Sequence, residues 1–263
     1  MTTIVEGLSV HVAGSGPPVV LVHGFTLDQR MWRSQVDALR EAFTVITYDV
    51  RGFGRSAPPP HAPYSHSADY LAILRHCGVA RAHLAGLSMG GRIALRCALT
   101  NPEAVASLVL LDAAVDGLVR SAEWDRRWQA IVAAARSGSI DEARRLWLAH
   151  PLFAPACTVP GVAAFMKEMV DGYSGWHWLH PDLAEVPEPP ALERLGAVRP
   201  PTLVIRGDRD LPEFTAVSER LADGIPGARR VVVPGAGHMV NLEAPAAVNR
   251  SLLEFFADVD GAA

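Results

Sequence analysis

Ser88 stands between glycines in the segment Gly86-Leu87-Ser88-Met89-Gly90-Gly91. A short apolar run, Ala82-His83-Leu84-Ala85, precedes it and reads as a buried strand. Arg92-Ile93-Ala94-Leu95-Arg96-Cys97-Ala98-Leu99 follows and reads as a helix packed on a sheet. A strand that turns sharply into a helix strains its middle residue and lifts that side chain over the sheet. Small residues at 86 and 90 let the backbone make the turn without collision. The helix N-terminus then points free N–H groups at whatever the serine attacks. Glycine-flanked serines also occur in ordinary loops, so the strand–turn–helix context carries the reading of Ser88 as a nucleophile.

A hydroxyl attacks well only if a base takes its proton, and the base needs an orienting partner. Of ten histidines, His238 stands out, in Pro234-Gly235-Ala236-Gly237-His238-Met239 after the strand-like run Arg230-Val231-Val232-Val233. A histidine on a glycine-rich loop past a strand end reaches the carboxyl edge of a parallel sheet. Alone it would read as a surface loop residue. A third segment shifts that balance: Thr202-Leu203-Val204-Ile205-Arg206-Gly207-Asp208-Arg209-Asp210 is a strand running into an acidic turn.

Taken together, these pieces resemble the α/β-hydrolase superfamily over nearly the whole chain. The matching segments, in order, begin with His23-Gly24-Phe25 after Pro18-Val19-Val20-Leu21-Val22, then Asp49-Val50-Arg51-Gly52-Phe53-Gly54-Arg55-Ser56. The Ser88 turn, Gly207-Asp208-Arg209-Asp210, and Gly237-His238 with Asn241-Leu242-Glu243-Ala244-Pro245 complete the set. The resemblance implies Ser88 as nucleophile, His238 as base and Asp210, the fourth residue of the Gly-x-x-Asp turn, as acid. Asp208, two residues away, is the alternative acid. The family's oxyanion hole implies the backbone N–H groups of Phe25 and Met89. His23 is expected to bond loop backbone, and Asp49 and Arg51 to belong to a structural turn.

Composition fits this picture. A chain of 263 residues is long enough for one α/β domain with a substantial core. A hydrophobic content of 49% with 20% charged residues is ordinary for a globular protein. The net charge of −4 gives no basic footprint for nucleic acid. No apolar run has the length of a membrane span, and the N-terminus lacks the basic start and apolar stretch of a secretory signal. Cys77, Cys97 and Cys157 form no metal pattern and read as buried reduced thiols, which gives a cytoplasmic expectation. No cofactor or metal is implied. Lys167 is the single lysine and the other 23 cations are arginines, a bias associated with GC-rich bacterial genomes.

The organisation reads as a split core, 1–113 and 196–263, around a helical lid at 114–195. Residues 1–22 form a hairpin leading into the first central strand; Val45-Ile46-Thr47-Tyr48 and Leu108-Val109-Leu110-Leu111-Asp112 are further buried strands. Helices are expected at about 66–77, stopped by Gly78, and at 89–99. The fold class is therefore α/β, with a mostly parallel eight-stranded sheet, flanking helices and an inserted lid made of segments such as 124–136 and 141–148.

Five of six tryptophans fall in the lid, together with Phe153, Phe165 and Tyr173. They either line an apolar substrate pocket or anchor the lid to the core. As pocket residues we expect Trp124, Trp147, Trp176 and Trp178, with Phe25, Met89 and Met239 below; Trp176-His177-Trp178 is the densest cluster. Such a pocket favours neutral over charged substrates. The expected activity is cleavage of small or medium carboxylic esters or lactones through an acyl-enzyme, by resemblance to carboxylesterases and 3-oxoadipate enol-lactonases. The expected partner is thus a mainly apolar small molecule, with no nucleic acid and no membrane. Two alternatives use the same fold: a C–C bond hydrolase or cofactor-free perhydrolase with this triad, and a ligand receptor without catalysis. Carbon–carbon hydrolases often carry a tryptophan close after the histidine, where this chain has Met239-Val240-Asn241-Leu242. Haloalkane dehalogenases and epoxide hydrolases place an aspartate where Ser88 stands.

Overall fold

The computed structural model describes residues 2–261. Eight strands form one sheet: β1 (Thr2–Val5), β2 (Leu8–Ala13), β3 (Pro18–Val22), β4 (Thr44–Tyr48), β5 (Ala82–Leu87), β6 (Val105–Leu111), β7 (Thr202–Gly207) and β8 (Arg229–Val233). Their spatial order is β1-β2-β4-β3-β5-β6-β7-β8. Only β2 runs against its neighbours, pairing antiparallel with β1 and β4; every other pairing is parallel. This is the α/β-hydrolase fold.

The apolar runs fold as the central strands. Residues 19–22 of β3, all of β5 and residues 107–111 of β6 are buried, because helices cover both faces of a parallel sheet. Each fully buried valine or leucine there contributes about 1.5–3 kcal/mol relative to exposure. Parallel neighbours need crossover connections, and helices supply them. The helices of the chain are α1 (Arg33–Leu39), α2 (His66–His76), α3 (Met89–Thr100), α4 (Ala122–Arg136), α5 (Ile140–Leu148), α6 (Val162–Gly172), α7 (Trp176–Leu179), α8 (Pro212–Gly224), α9 (Val240–Glu243) and α10 (Pro245–Gly261). Gly78, at φ 67°, follows α2, where the left-handed conformation ends a helix at little cost to glycine.

Between β6 and β7 the described residues form α4 to α7 and short 3₁₀ turns, with no strand of the sheet among them. Ser121 caps α4 by accepting the Trp124 N–H at 3.2 Å. Three ties fasten this segment to the sheet domain. Arg96 of α3 grips Asp116 through two bonds of 2.6 and 2.5 Å. Tyr64 forms an isolated parallel bridge with Ala184. The Trp147 indole donates to Thr26 at 2.6 Å.

All three cysteines are free, but burial is uneven: Cys97 is buried, Cys77 half-buried and Cys157 exposed. Cys157 sits in a 3₁₀ turn of the insertion, so the expectation of three buried thiols fails there. No helix among the described residues is long and apolar enough to cross a membrane.

Candidate active site

The parallel strands bring their carboxyl ends to one edge, and the chemistry-bearing residues follow those ends. His23-Gly24-Phe25 comes after β3, Ser88 after β5, Asp112 after β6, Asp210 after β7 and His238 after β8. Ligands bind at this edge in open α/β sheets.

Ser88 is held at φ 53° and ψ −113°, a sparsely populated conformation that costs about 1–3 kcal/mol. The surrounding backbone enforces it. A Cβ on Gly86 would lie 2.1 Å from the Gly90 carbonyl oxygen, and one on Gly90 would lie 2.1 Å from that of Val22. Only glycine permits so tight a strand-to-helix turn. The Ser88 N–H donates to Leu111 O at 3.0 Å, and the Ser88 carbonyl accepts from Arg92 N at 3.1 Å and Ala114 N at 3.0 Å.

His238 is fixed from two sides. Glu243 accepts the Gly237 N–H at 2.7 Å and the Met239 N–H at 3.0 Å, clamping the loop around the imidazole. The Nδ1 atom lies 2.8 Å from Asp210 Oδ2, with both side chains 1% exposed. Asp210 only accepts when ionised, so the ring proton sits on Nδ1. Nε2 is then a free acceptor; it is buried and has no hydrogen-bond partner among the described residues. The Phe214 ring packs 4.3 Å from the imidazole.

Of the two carboxylates in the acidic turn, Asp210 meets the histidine. Asp208 is exposed and accepts the Gly235 N–H at 2.7 Å, a turn contact. A third carboxyl, Asp112, lies close by. Its Oδ1 accepts the Gly207 N–H at 3.0 Å, while Oδ2 is buried without a partner among the described residues. Burial first, and the neighbouring Asp210 charge second, push this carboxyl well above the usual carboxylate range.

The His23 ring bonds backbone on both sides: Nε2 accepts the Val50 N–H at 2.9 Å, and Nδ1 donates to Gly24 O at 2.8 Å. The neutral tautomer is thereby fixed, and burial holds its pKa below the ordinary histidine value. Thr26, at φ 63°, turns the chain after Phe25. No hydrogen bond from the Phe25 or Met89 N–H to another described residue is present, and Met89 is the first residue of α3. Asp49 is structural: it accepts the Gln29 and Arg55 N–H groups, each at 2.9 Å. Arg51 holds Asp69 through bonds of 2.6 to 3.0 Å.

Ser88 and His238 open on one cavity of about 250 Å³. Phe25, Leu27, Trp124, Trp128, Trp147, Leu152, Phe153, Phe214, Met89 and Met239 give it a largely apolar wall. Arg92, Arg120, His177 and Asp182 interrupt that wall.

The model for the "Alpha/beta hydrolase family" matches residues 19–251. The chain belongs to the alpha/beta hydrolase family. Among its relatives, an Azorhizobium caulinodans protein provisionally named carbamate hydrolase RutD is 30% identical over 262 residues, 96% of each chain. An esterase structure from Thermogutta terrifontis superposes with a TM-score of 0.83 at 28% identity, covering 98% of this chain and 99% of that one. The enol-lactonase from Burkholderia xenovorans LB400 gives 0.78 at 26% identity, covering 98% and 100%.

In this α/β hydrolase, the expected pocket residues divide. Trp124, Trp147, Phe25, Met89 and Met239 line the cavity. Trp176 and Trp178 do not, which corrects the expectation drawn from their density. Successive residues of a helix point about 100° apart, so the single turn of α7 sends its side chains in different directions. Trp178 packs 4.9 Å from Tyr173 in the core, Trp176 lies tilted beside His180 at 5.2 Å, and His177 between them faces the cavity. The wall is also less neutral than expected. Arg92 recurs four residues after Ser88, the spacing that returns a helix to the same face. That signal is legible in the sequence; the placement of Asp182, Trp128 and Phe214 depends on how the insertion docks.

Proposed function

We propose that this chain is a serine hydrolase that cleaves small carboxylic esters or lactones through an acyl-enzyme. The observation that carries the reading is the pairing of a strained Ser88 with an Asp210-held His238 on one cavity. In this account Ser88 Oγ attacks the substrate carbonyl carbon while His238 Nε2 takes the hydroxyl proton. The carbonyl oxygen becomes an oxyanion and receives the N–H groups of Phe25 and Met89. The tetrahedral species collapses, the C–O bond to the leaving group breaks, and the imidazolium returns its proton to that oxygen. With a lactone, the released oxygen stays on the acyl chain as a hydroxyl. Water, deprotonated by His238, then attacks the acyl carbon, the bond to Ser88 Oγ breaks, and the imidazolium returns the proton to Oγ as the acid is freed. Asp210 holds the ring in its reactive tautomer throughout and stabilises the imidazolium.

Residues 114–195 serve as the lid in this account, closing an aromatic roof over the reacting carbonyl and limiting water near it. The relatives' names support hydrolysis as the reaction class and leave the bond to be assigned by assay. A series of neutral ethyl and p-nitrophenyl esters of graded acyl length is the direct test. Turnover by the native protein, with Ser88→Ala slower by roughly 10⁴–10⁶-fold in kcat and an unchanged circular dichroism spectrum, supports the reading. Equal turnover by Ser88→Ala contradicts it.

A further inference from the structure

Three carboxyl groups gather at the His238 end of the site, and the triad uses one of them. Asp112 follows β6, Asp210 follows β7, and Glu243 lies in α9. Glu243 commits both oxygens to backbone N–H groups of the His238 loop. Asp210 accepts the Leu211 N–H at 2.7 Å on Oδ1 and meets His238 Nδ1 at 2.8 Å with Oδ2. Asp112 is the one without a part in the chemistry. It is fully buried and tied to the neighbouring strand. Its N–H donates to Ile205 O at 2.9 Å, and its Oδ1 accepts the Gly207 N–H at 3.0 Å. Both partners belong to β7, the strand that leads into Asp210.

The remaining oxygen decides how Asp112 is protonated. Its Oδ2 is buried, and no N–H or O–H of the described residues reaches it. What faces it is the Asp210 carboxylate. Two ionised carboxylates side by side and out of water repel, so such a pair retains one proton. The His238 Nδ1–H bond keeps Asp210 the ionised member. Burial, then the Asp210 charge, pushes Asp112 well above the usual carboxylate range, so the proton rests there. A proton on Oδ2 turns the repulsion into a hydrogen bond. The other titratable neighbours do not replace it. Glu243 is itself raised, chiefly by burial, and His150 of the insertion, near His238, is lowered to about 4, chiefly by burial.

The geometry points to Asp112 as a positioning residue for the triad: a neutral carboxylic acid whose Oδ2–H donates to the Asp210 carboxylate and holds it against His238. This deepens the serine-hydrolase reading and rests on it. The donated bond fixes the Asp210 rotamer and draws negative charge away from the oxygen that faces the imidazole. Asp210 then orients the ring without making it too basic. The balance matters, because an imidazolium cannot take the Ser88 proton. The Oδ2 proton stays on Asp112 through acylation and deacylation, and no step consumes it.

The test follows p-nitrophenyl butyrate hydrolysis by native protein, Asp112→Asn and Asp112→Ala between about pH 5 and pH 9. The acid limb of kcat/KM reports the base of the free enzyme. Asparagine keeps an oxygen for the Gly207 N–H and an N–H donor for Asp210, so Asp112→Asn is expected to hold the acid limb within about 0.2 unit of native. Alanine removes the donor and leaves Asp210 more basic. Asp112→Ala is expected to move the limb up by about half a unit or more, with plateau kcat lower by roughly 10-fold. An ionised Asp112 gives the opposite sign, because both variants would then remove a negative charge beside the ring. An acid limb that falls in either variant, or that neither variant moves, overturns the proposal. Alanine is strained at the φ of 38° found there, so a second measurement stands beside it. Infrared spectra at neutral pH are expected to show a protonated carboxylic C=O stretch in native protein. The band should vanish in Asp112→Asn and shift in Asp210→Asn, where the acceptor loses its charge. Absence of the band, or indifference to Asp210→Asn, overturns the proposal even if Asp112→Ala does not fold. Ester turnover that Ser88→Ala loses, without these signatures, defeats the positioning role and leaves the hydrolase reading standing. No turnover of any ester by native protein defeats the hydrolase reading and the positioning role with it.

Discussion

The Trp147 indole Nε1 donates a 2.6 Å hydrogen bond to Thr26 Oγ1, joining a helix of the insertion to the loop that carries the Phe25 N–H. Thr26 in turn donates to Phe25 O at 2.6 Å while sitting at φ 63°. A β-branched residue seldom adopts that conformation, so the loop depends on outside support. Trp147→Phe keeps most of the apolar contact and removes the bond. If the Phe25 N–H serves the oxyanion as proposed, the substitution should lower kcat by roughly 10-fold with little change in KM, because such a donor matters most in the transition state. The lost bond should cost about 0.5–1.5 kcal/mol, a fall of a few degrees in Tm. Steady-state kinetics beside thermal melts would check this; a KM effect alone would place Trp147 in the pocket wall only.

The acidic turn offers a direct contrast. Asp210→Asn keeps the shape and loses the charge that orients the ring, so kcat should fall by up to about 10⁴-fold with the fold intact. Asp208→Asn touches a surface turn bond to Gly235 and should leave kcat close to native. A larger loss from Asp208→Asn would transfer the acid role to that residue.

Buried histidines make this fold sensitive to acid. His66 is lowered to about 3 and His150 to about 4, each chiefly by burial. Below the unfolded value near 6.5 the unfolded chain binds protons that the folded chain refuses. Stability should therefore decline as pH falls from about 6.5 toward 4. His150 adds a structural reason, since its Nδ1 accepts the Leu152 N–H at 3.1 Å and a protonated ring has no acceptor. His150→Asn retains a capping oxygen without titrating, so its Tm should vary less than native between about pH 6.5 and pH 4. Parallel slopes for the two proteins would remove His150 from this account.

Asp112 titrates in the opposite sense. Its folded pKa is raised, so the folded state favours the protonated form, and the stability this gives is lost as pH rises from the unfolded value near 3.9 through the folded one. Asp112→Asn mimics the neutral acid in shape, and asparagine tolerates the φ of 38° found there. The variant should melt at or above the native Tm at about pH 8, with the difference shrinking toward pH 4. A lower Tm at the alkaline end would mean that the ionised carboxylate is favoured in place.

Much of the architecture is written locally. The apolar runs of β3, β5 and β6, and the Gly86 and Gly90 that force the Ser88 turn, carry their conformations in a few adjacent residues. The positions after strand ends follow from the sheet, which is why Ser88, Asp210 and His238 stand out in the sequence itself. The cavity wall is another matter. Whether Trp176, His177 or Trp178 faces the cavity depends on how one turn of helix after Gly175 is rotated, and tertiary packing sets that rotation. Arg92 is visible through its spacing from Ser88, but that Asp182 shares its cavity is not, because Asp182 lies in a distant segment held there by Tyr64.

The central claim is that Ser88 forms a covalent acyl intermediate. Native protein mixed with an activated ester, quenched in acid within milliseconds and measured by intact-mass and peptide mass spectrometry, tests it directly. The account predicts one added acyl group on the peptide containing Ser88, lost with time in native protein and absent from Ser88→Ala. An adduct on another residue, or ester turnover by Ser88→Ala at the native rate, would contradict it.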